Sequence, residues 1–75
     1  MRFYWLVELV PAFGGHPPFP PTYYAGYLVS PMQAKTTQDS HAAPKWSRQQ
    51  DAEVVAASLL GTLSCTWRAV EHGFE

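Results

Sequence analysis

One cysteine, Cys65, is all the sulfur chemistry this 75-residue chain has for cross-linking. No internal disulfide can form, and no site built from several thiolates is available to zinc. A lone thiol fits a reducing compartment, so a cytoplasmic location is the expectation. Charge is equally scarce, with five Lys/Arg against six Asp/Glu and a formal net charge of -1. Nothing in that balance draws the chain toward nucleic acid or an anionic membrane. Long apolar runs are also missing, and none approaches the roughly 18 residues of a membrane-spanning helix. The start, MRFYWLVELV, has a basic residue and apolar bulk like a secretion signal. However, Glu8 interrupts the run and no small-residue cleavage pattern follows.

The chain does have aromatic bulk, three Trp, four Tyr and four Phe, on a length that makes one small domain over residues 1–75. A domain of this size buries only roughly 60–65% of its unfolded surface, so large side chains have to carry its core. They also exceed what one helix and a small sheet hide, which predicts aromatic surface left for a partner.

Ser47 to Gly61, SRQQDAEVVAASLLG, is the one clear amphipathic helix, predicted over about residues 47–60. Ala52, Val55, Ala56 and Leu59 recur at i, i+3, i+4 and i+7 and form one apolar stripe. Ser47 and Gln50 have the spacing of a capping box, with Asp51 and Glu53 near the positive end of the dipole. Trp46 then takes the N′ position, and Gly61 is placed for a left-handed C-terminal stop.

Residues 2–10 alternate as a strand, with Phe3, Trp5, Val7 and Leu9 facing inward and Arg2 and Glu8 on the other parity. Residues 11–21, PAFGGHPPFPP, hold five prolines and form a stiff loop, either a lid on the core or a contact surface. Residues 22–30 read as a second strand, antiparallel to the first, in which Gly26 marks a bulge or a close backbone approach. Residues 31–46 are polar and read as irregular, with a turn from Asp39 and a short extended piece at Lys45-Trp46. Residues 65–71 are the last strand. A helix stripe and a strand face of matching character give an α+β fold: a small antiparallel sheet of three or four strands with one helix on one face.

Candidate chemistry is thin. His16, His41, His72, Cys65, Asp39, Asp51, Glu71 and Glu75 place no i, i+4 pair on the predicted helix and show no C-x-x-C spacing. Cys65 and His72 on one strand have opposite parities and point to opposite faces. No catalytic residue, metal or cofactor is expected, and the chain is read as a non-enzyme. Tyr23, Tyr24 and Tyr27 are of the type that stacks bases, but Arg2, Lys35, Lys45, Arg48 and Arg68 are scattered along the chain. Core and protein-contact roles suit those tyrosines better.

Several features in order, an N-terminal aromatic strand, Tyr23-Tyr24-Ala25-Gly26, a small polar stretch from Asp39 to Ala43, Trp46 to Glu53 and Val70 to Glu75, have a familiar look. The pattern resembles short accessory proteins of tailed phages and prophages. The likeness covers most of the chain, with short structural motifs, no catalytic signature and a proline loop longer than is usual. It implies a protein from a mobile element that acts in a bacterial host cell by binding one host protein or ribonucleoprotein complex. Inhibitors of bacterial defence, anti-CRISPR proteins among them, are the outcome the resemblance suggests. Near-neutral charge then implies a block by shape rather than by DNA mimicry. The expected contact surface is Phe13, His16, Phe19, Tyr23, Tyr24, Tyr27 and Trp46, as aromatic anchors on a stiff scaffold. A single-stranded nucleic-acid binder using the tyrosines, or a structural homo-oligomer such as a homodimer, are the alternatives.

Overall fold

The apolar alternation of the N-terminal segment becomes a ten-residue strand, β1 (Arg2–Pro11), whose principal partner is the farthest one in sequence. In a computed structural model, describing residues 1–15, 19–31, 33–62 and 64–75, β1 is followed by β2 (Tyr23–Ser30), β3 (Gln33–Thr37), helix α1 (Gln49–Ala57) and β4 (Cys65–Phe74). The strands form one antiparallel sheet in the order β3-β2-β1-β4, and the fold is α+β. Every residue of β1 has a partner on β4, from Arg2 opposite Phe74 to Pro11 opposite Cys65.

Helix α1 packs on β1 and β4 and, among the described residues, reaches neither β2 nor β3. Its buried residues Ala52 and Ala56 are small, which lets the helix sit close above Val7 and Trp67. Leu59, just past the helix, completes that cluster, and Trp5, Leu9, Tyr24, Trp46 and Ala69 pack around it. The indole Nε1 of Trp67 donates to the Leu60 carbonyl at 3.2 Å, so the largest buried ring has its polar atom satisfied.

The opposite face of the sheet also holds a core. Leu6 is fully buried there with Tyr23 and Ala43, flanked by Tyr4 and Phe74. This corrects the expectation that the Arg2/Glu8 parity faces solvent: Glu8 is half-buried, and Leu6 beneath it is among the most buried side chains of the chain. Phe3, expected to face inward, is mostly exposed, because it lies near the end of β1 away from the buried cluster. The segment from Asp39 to Lys45 covers this second face. His41 meets the ring of Phe74 edge-on, and the Lys45 ammonium stands 4.9 Å above that ring.

To pass from one face to the other, the chain goes through the sheet. β1 and β2 pair only at Glu8 opposite Tyr23, with Leu9 N donating to the Thr22 carbonyl at 2.9 Å. Continued three residues further, that register would set Gly26 opposite Trp5. Instead Trp46 takes the place: Trp5 N donates to Trp46 O at 2.7 Å, and Trp46 N to Trp5 O at 2.9 Å. Pro44 lies against Gly26, where a Cβ would stand 3.0 Å from its ring; Gly26 itself has φ +106°. Residues 44–46 therefore form a wedge that splits β2 from the N-terminal half of β1.

The wedge explains a difference at the helix start. The capping box at Ser47 and Gln50 does not form. Extended backbone imposed by the Trp46 bridge continues to Arg48 (φ -125°, ψ 136°), and no side chain caps the helix. Trp46 thus lies one residue further from the helix than the N′ position. Arg48 Nε and Asp51 Oδ2 pair across the first turn at 3.2 Å instead. At the other end Gly61 is not left-handed; Ser58 ends the helix. Glycine is needed at 61 because a Cβ there would lie 2.6 Å from the Cys65 carbonyl oxygen. Thr62 N donates to that oxygen, and the Thr62 hydroxyl accepts from Cys65 N.

Residues 31–46 are not irregular throughout, since β3 occupies Gln33–Thr37 at the sheet edge. An edge strand with solvent on most sides needs few apolar residues, and only Ala34 packs toward the core. β4 also runs beyond the predicted residue 71, to Phe74.

Candidate interaction surface

The split sheet sets up the exposed surface. Beyond Gly26, β2 has left β1 and pairs only with β3, with irregular register between Tyr24, Leu28 and Ser30. Three successive apolar side chains on this hairpin are open to solvent: Tyr27 at 57%, Leu28 at 48% and Val29 at 56% of their full areas. Single exposed apolar residues are ordinary. Along this strand Leu28 points to the side of Ala34, while Tyr27 and Val29 point to the other. The segment therefore exposes apolar side chains on both faces, which makes it a candidate contact surface.

On the helix side, the same hairpin borders a groove that α1 leaves uncovered. Leu9, Ala34, Leu60, Gly61 and Trp67 give it apolar lining and Gln33, Thr36 and Thr62 polar lining, around a volume of about 330 Å³. Leu28 pairs with Ala34 across the hairpin, so the groove and the exposed run adjoin. Leu60 is itself largely exposed. The lining holds no ionisable group, so it suits apolar and neutral hydrogen-bonding atoms rather than charge.

The seven residues expected from the sequence are not brought together. Tyr27 belongs to the exposed run. Tyr24 is half-buried on the helix side, and Trp46 is half-buried in the wedge. Tyr23 is core, in the cluster with Leu6 and Ala43, which removes it from any contact surface. Phe13 is 94% exposed in the proline loop and Phe19 half-buried. His16 lies outside the described residues. The three tyrosines therefore do not share a stacking face. Leu28, Val29 and Leu60 are the contact candidates the sequence reading missed. The run Tyr27-Leu28-Val29 was legible as apolar, but its exposure follows from the wedge, which separates it from β1.

The other sheet face carries the main polar cluster. His72 Nε2 and Glu8 Oε1 are 3.0 Å apart, spanning 64 residues of sequence, and the Tyr23 ring meets His72 edge-on at 5.5 Å. Burial first, and then the Glu8 carboxylate, hold the Tyr23 phenol above its ordinary value of 10.0. Cys65 is buried at the far end of β4 from His72. Among the described residues, no three His, Cys, Asp or Glu side chains are placed to share a metal ion, and no helix is long and apolar enough to cross a membrane.

Compared with protein families, characterised proteins and solved structures, the chain matches none.

Proposed function

We propose that this chain is a non-enzymatic binding protein that docks on a host protein complex through the Tyr27–Val29 run and the groove beside it, and blocks that complex by occupying its surface. The observation that carries this reading is the exposure of Tyr27, Leu28 and Val29 on a strand separated from its neighbour by the wedge. An apolar strand with a free edge offers backbone hydrogen bonds as well as side-chain anchors, the mode by which an extended segment of a partner adds to a sheet. The groove lined by Trp67 and Leu9 then supplies a place for one further apolar anchor. The resemblance to phage accessory proteins supports a bacterial target, and a CRISPR effector complex is the specific instance it suggests. Base stacking has less support, because Tyr23 is core and the tyrosines point to different surroundings.

The test is phage plating on a panel of bacterial strains, each with a different CRISPR system and a phage that system targets. Expression of the chain restores plating on a susceptible strain by several orders of magnitude. Leu28→Asp with Val29→Asp abolishes the restoration while the thermal melt stays within a few degrees of the parent. Full restoration by the double variant would remove the hairpin from the binding surface. Failure of the parent on every strain would set aside the CRISPR target.

A further inference from the structure

Among the described residues no strand lies beyond β4, and its ladder shows which groups its outer edge offers. Trp5 N and O bond to Trp46, and Leu9 N to Thr22, so the odd residues of β1 point their backbone groups away from β4. The even residues of β1 then bond β4 through their partners Thr66, Arg68, Val70, His72 and Phe74. Odd residues of β4 therefore face outward. Cys65 agrees with this, because its carbonyl accepts from Thr62 N on the outer side. For Trp67, Ala69, Glu71 and Gly73, no backbone partner on that side exists among the described residues.

We infer that this edge pairs with the same edge of a second copy about a two-fold axis, with Val70 facing Val70 of that copy, to give a continuous eight-stranded sheet. An antiparallel pair of identical strands is self-complementary, and any register centred on a residue keeps the outward groups bonded to one another. The three centred on Ala69, Val70 and Glu71 are compared because they lie at the middle of the strand. Centred on Glu71, the two carboxylates would stand face to face, which is unfavourable. Centred on Ala69, Val70 would stand opposite Arg68. Centred on Val70, the apolar row Leu6–Val70 of one copy continues directly into Val70–Leu6 of the other. Trp67 then lies beside Gly73, where Met1 and Phe3 of the same copy already fill the place of a side chain, and Glu71 beside Ala69.

One side chain now guards the edge. Arg68 belongs by parity to the face of Leu6 and Val70, yet its Nε lies 3.9 Å from Glu53 of α1, so it passes round the outside of β4. Both groups are solvent-exposed enough for that contact to be weak. Glu8 stands directly opposite Arg68 on β1, a second carboxylate it can turn to when the edge is filled. The exposed hairpin lies at the opposite edge of the sheet from this pairing, and Trp67 is shared between the β4 edge and the groove.

Sedimentation velocity over a rising concentration series reads the assembly directly. The expected result is a shift from one chain to two. Glu71→Pro, which removes one outward N–H at a position where an edge strand tolerates proline, should remain a single chain with an unchanged thermal melt. Register is read by oxidation in a Cys65→Ala background: Val70→Cys cross-links between copies, and Glu71→Cys does so at least tenfold more slowly. A parent chain that stays single at millimolar concentration would overturn the inference. So would a dimer unaffected by Glu71→Pro, or Glu71→Cys linking as fast as Val70→Cys.

Discussion

Trp46 replaces β2 as the hydrogen-bonding partner of Trp5, at 2.7 and 2.9 Å. The same three-residue wedge presses Pro44 against Gly26, whose φ of +106° an L side chain rarely adopts. Gly26→Ala should therefore lose about 1–3 kcal/mol from backbone strain, with the Pro44 contact adding to it. Chemical denaturation checks this, and a variant as stable as the parent would mean the wedge does not hold β2 apart.

Tyr23 makes stability fall in alkali. Its folded phenol titrates above the unfolded one, so its neutral form is favoured by folding. That contribution is complete below pH of about 10 and declines as the pH rises past it, when the unfolded chain ionises first. Urea midpoints measured at pH of roughly 8 and 11 should fall more steeply for the parent than for Tyr23→Phe. Equal slopes would place the phenol in solvent.

Gly61 is required for contact rather than conformation. A methyl group there would meet the Cys65 carbonyl at 2.6 Å, and backbone cannot rotate away as a side chain can. Gly61→Ala is expected to cost about 1–3 kcal/mol, comparable to overpacking a core. Gly61 and Leu60 both line the groove, so the same variant should also change its shape, and urea denaturation reads the loss of stability.

Two positions on one helix separate its faces. Ala52 is fully buried against the sheet, and Val54 is 71% exposed. Ala52→Leu should destabilise by about 1–3 kcal/mol, whereas Val54→Lys should change stability by no more than about 0.5 kcal/mol. Thermal melts of the pair test the assignment, and similar losses at both sites would contradict it.

Much of this fold was legible because periodicity reports burial directly. The stripe of Ala52, Val55, Ala56 and Leu59 located the helix face, and Trp5, Val7 and Leu9 located the strand face it covers. The second core was hidden for a physical reason. Arg2 and Glu8 made its parity look wet, while Glu8 is in fact paired with His72. Helix capping failed for a similar reason, since a tertiary bridge at Trp46 dictated backbone that the local signal at Ser47 could not override. The candidate contact surface was the least legible part. Tyr27, Leu28 and Val29 are as apolar as any core strand, and their exposure depends on a wedge contributed by residues 44–46.

The union of β1 with β4 also sets when the sheet can form. Glu8 and His72 are 64 residues apart in the chain, and at ~5–20 residues per second a ribosome needs roughly 3–13 s between them. For that interval Trp5, Leu6 and Val7 have no sheet partner from β4. The nascent chain therefore presents its most apolar segment early and covers it late, which makes β1 the stretch that a chaperone would hold.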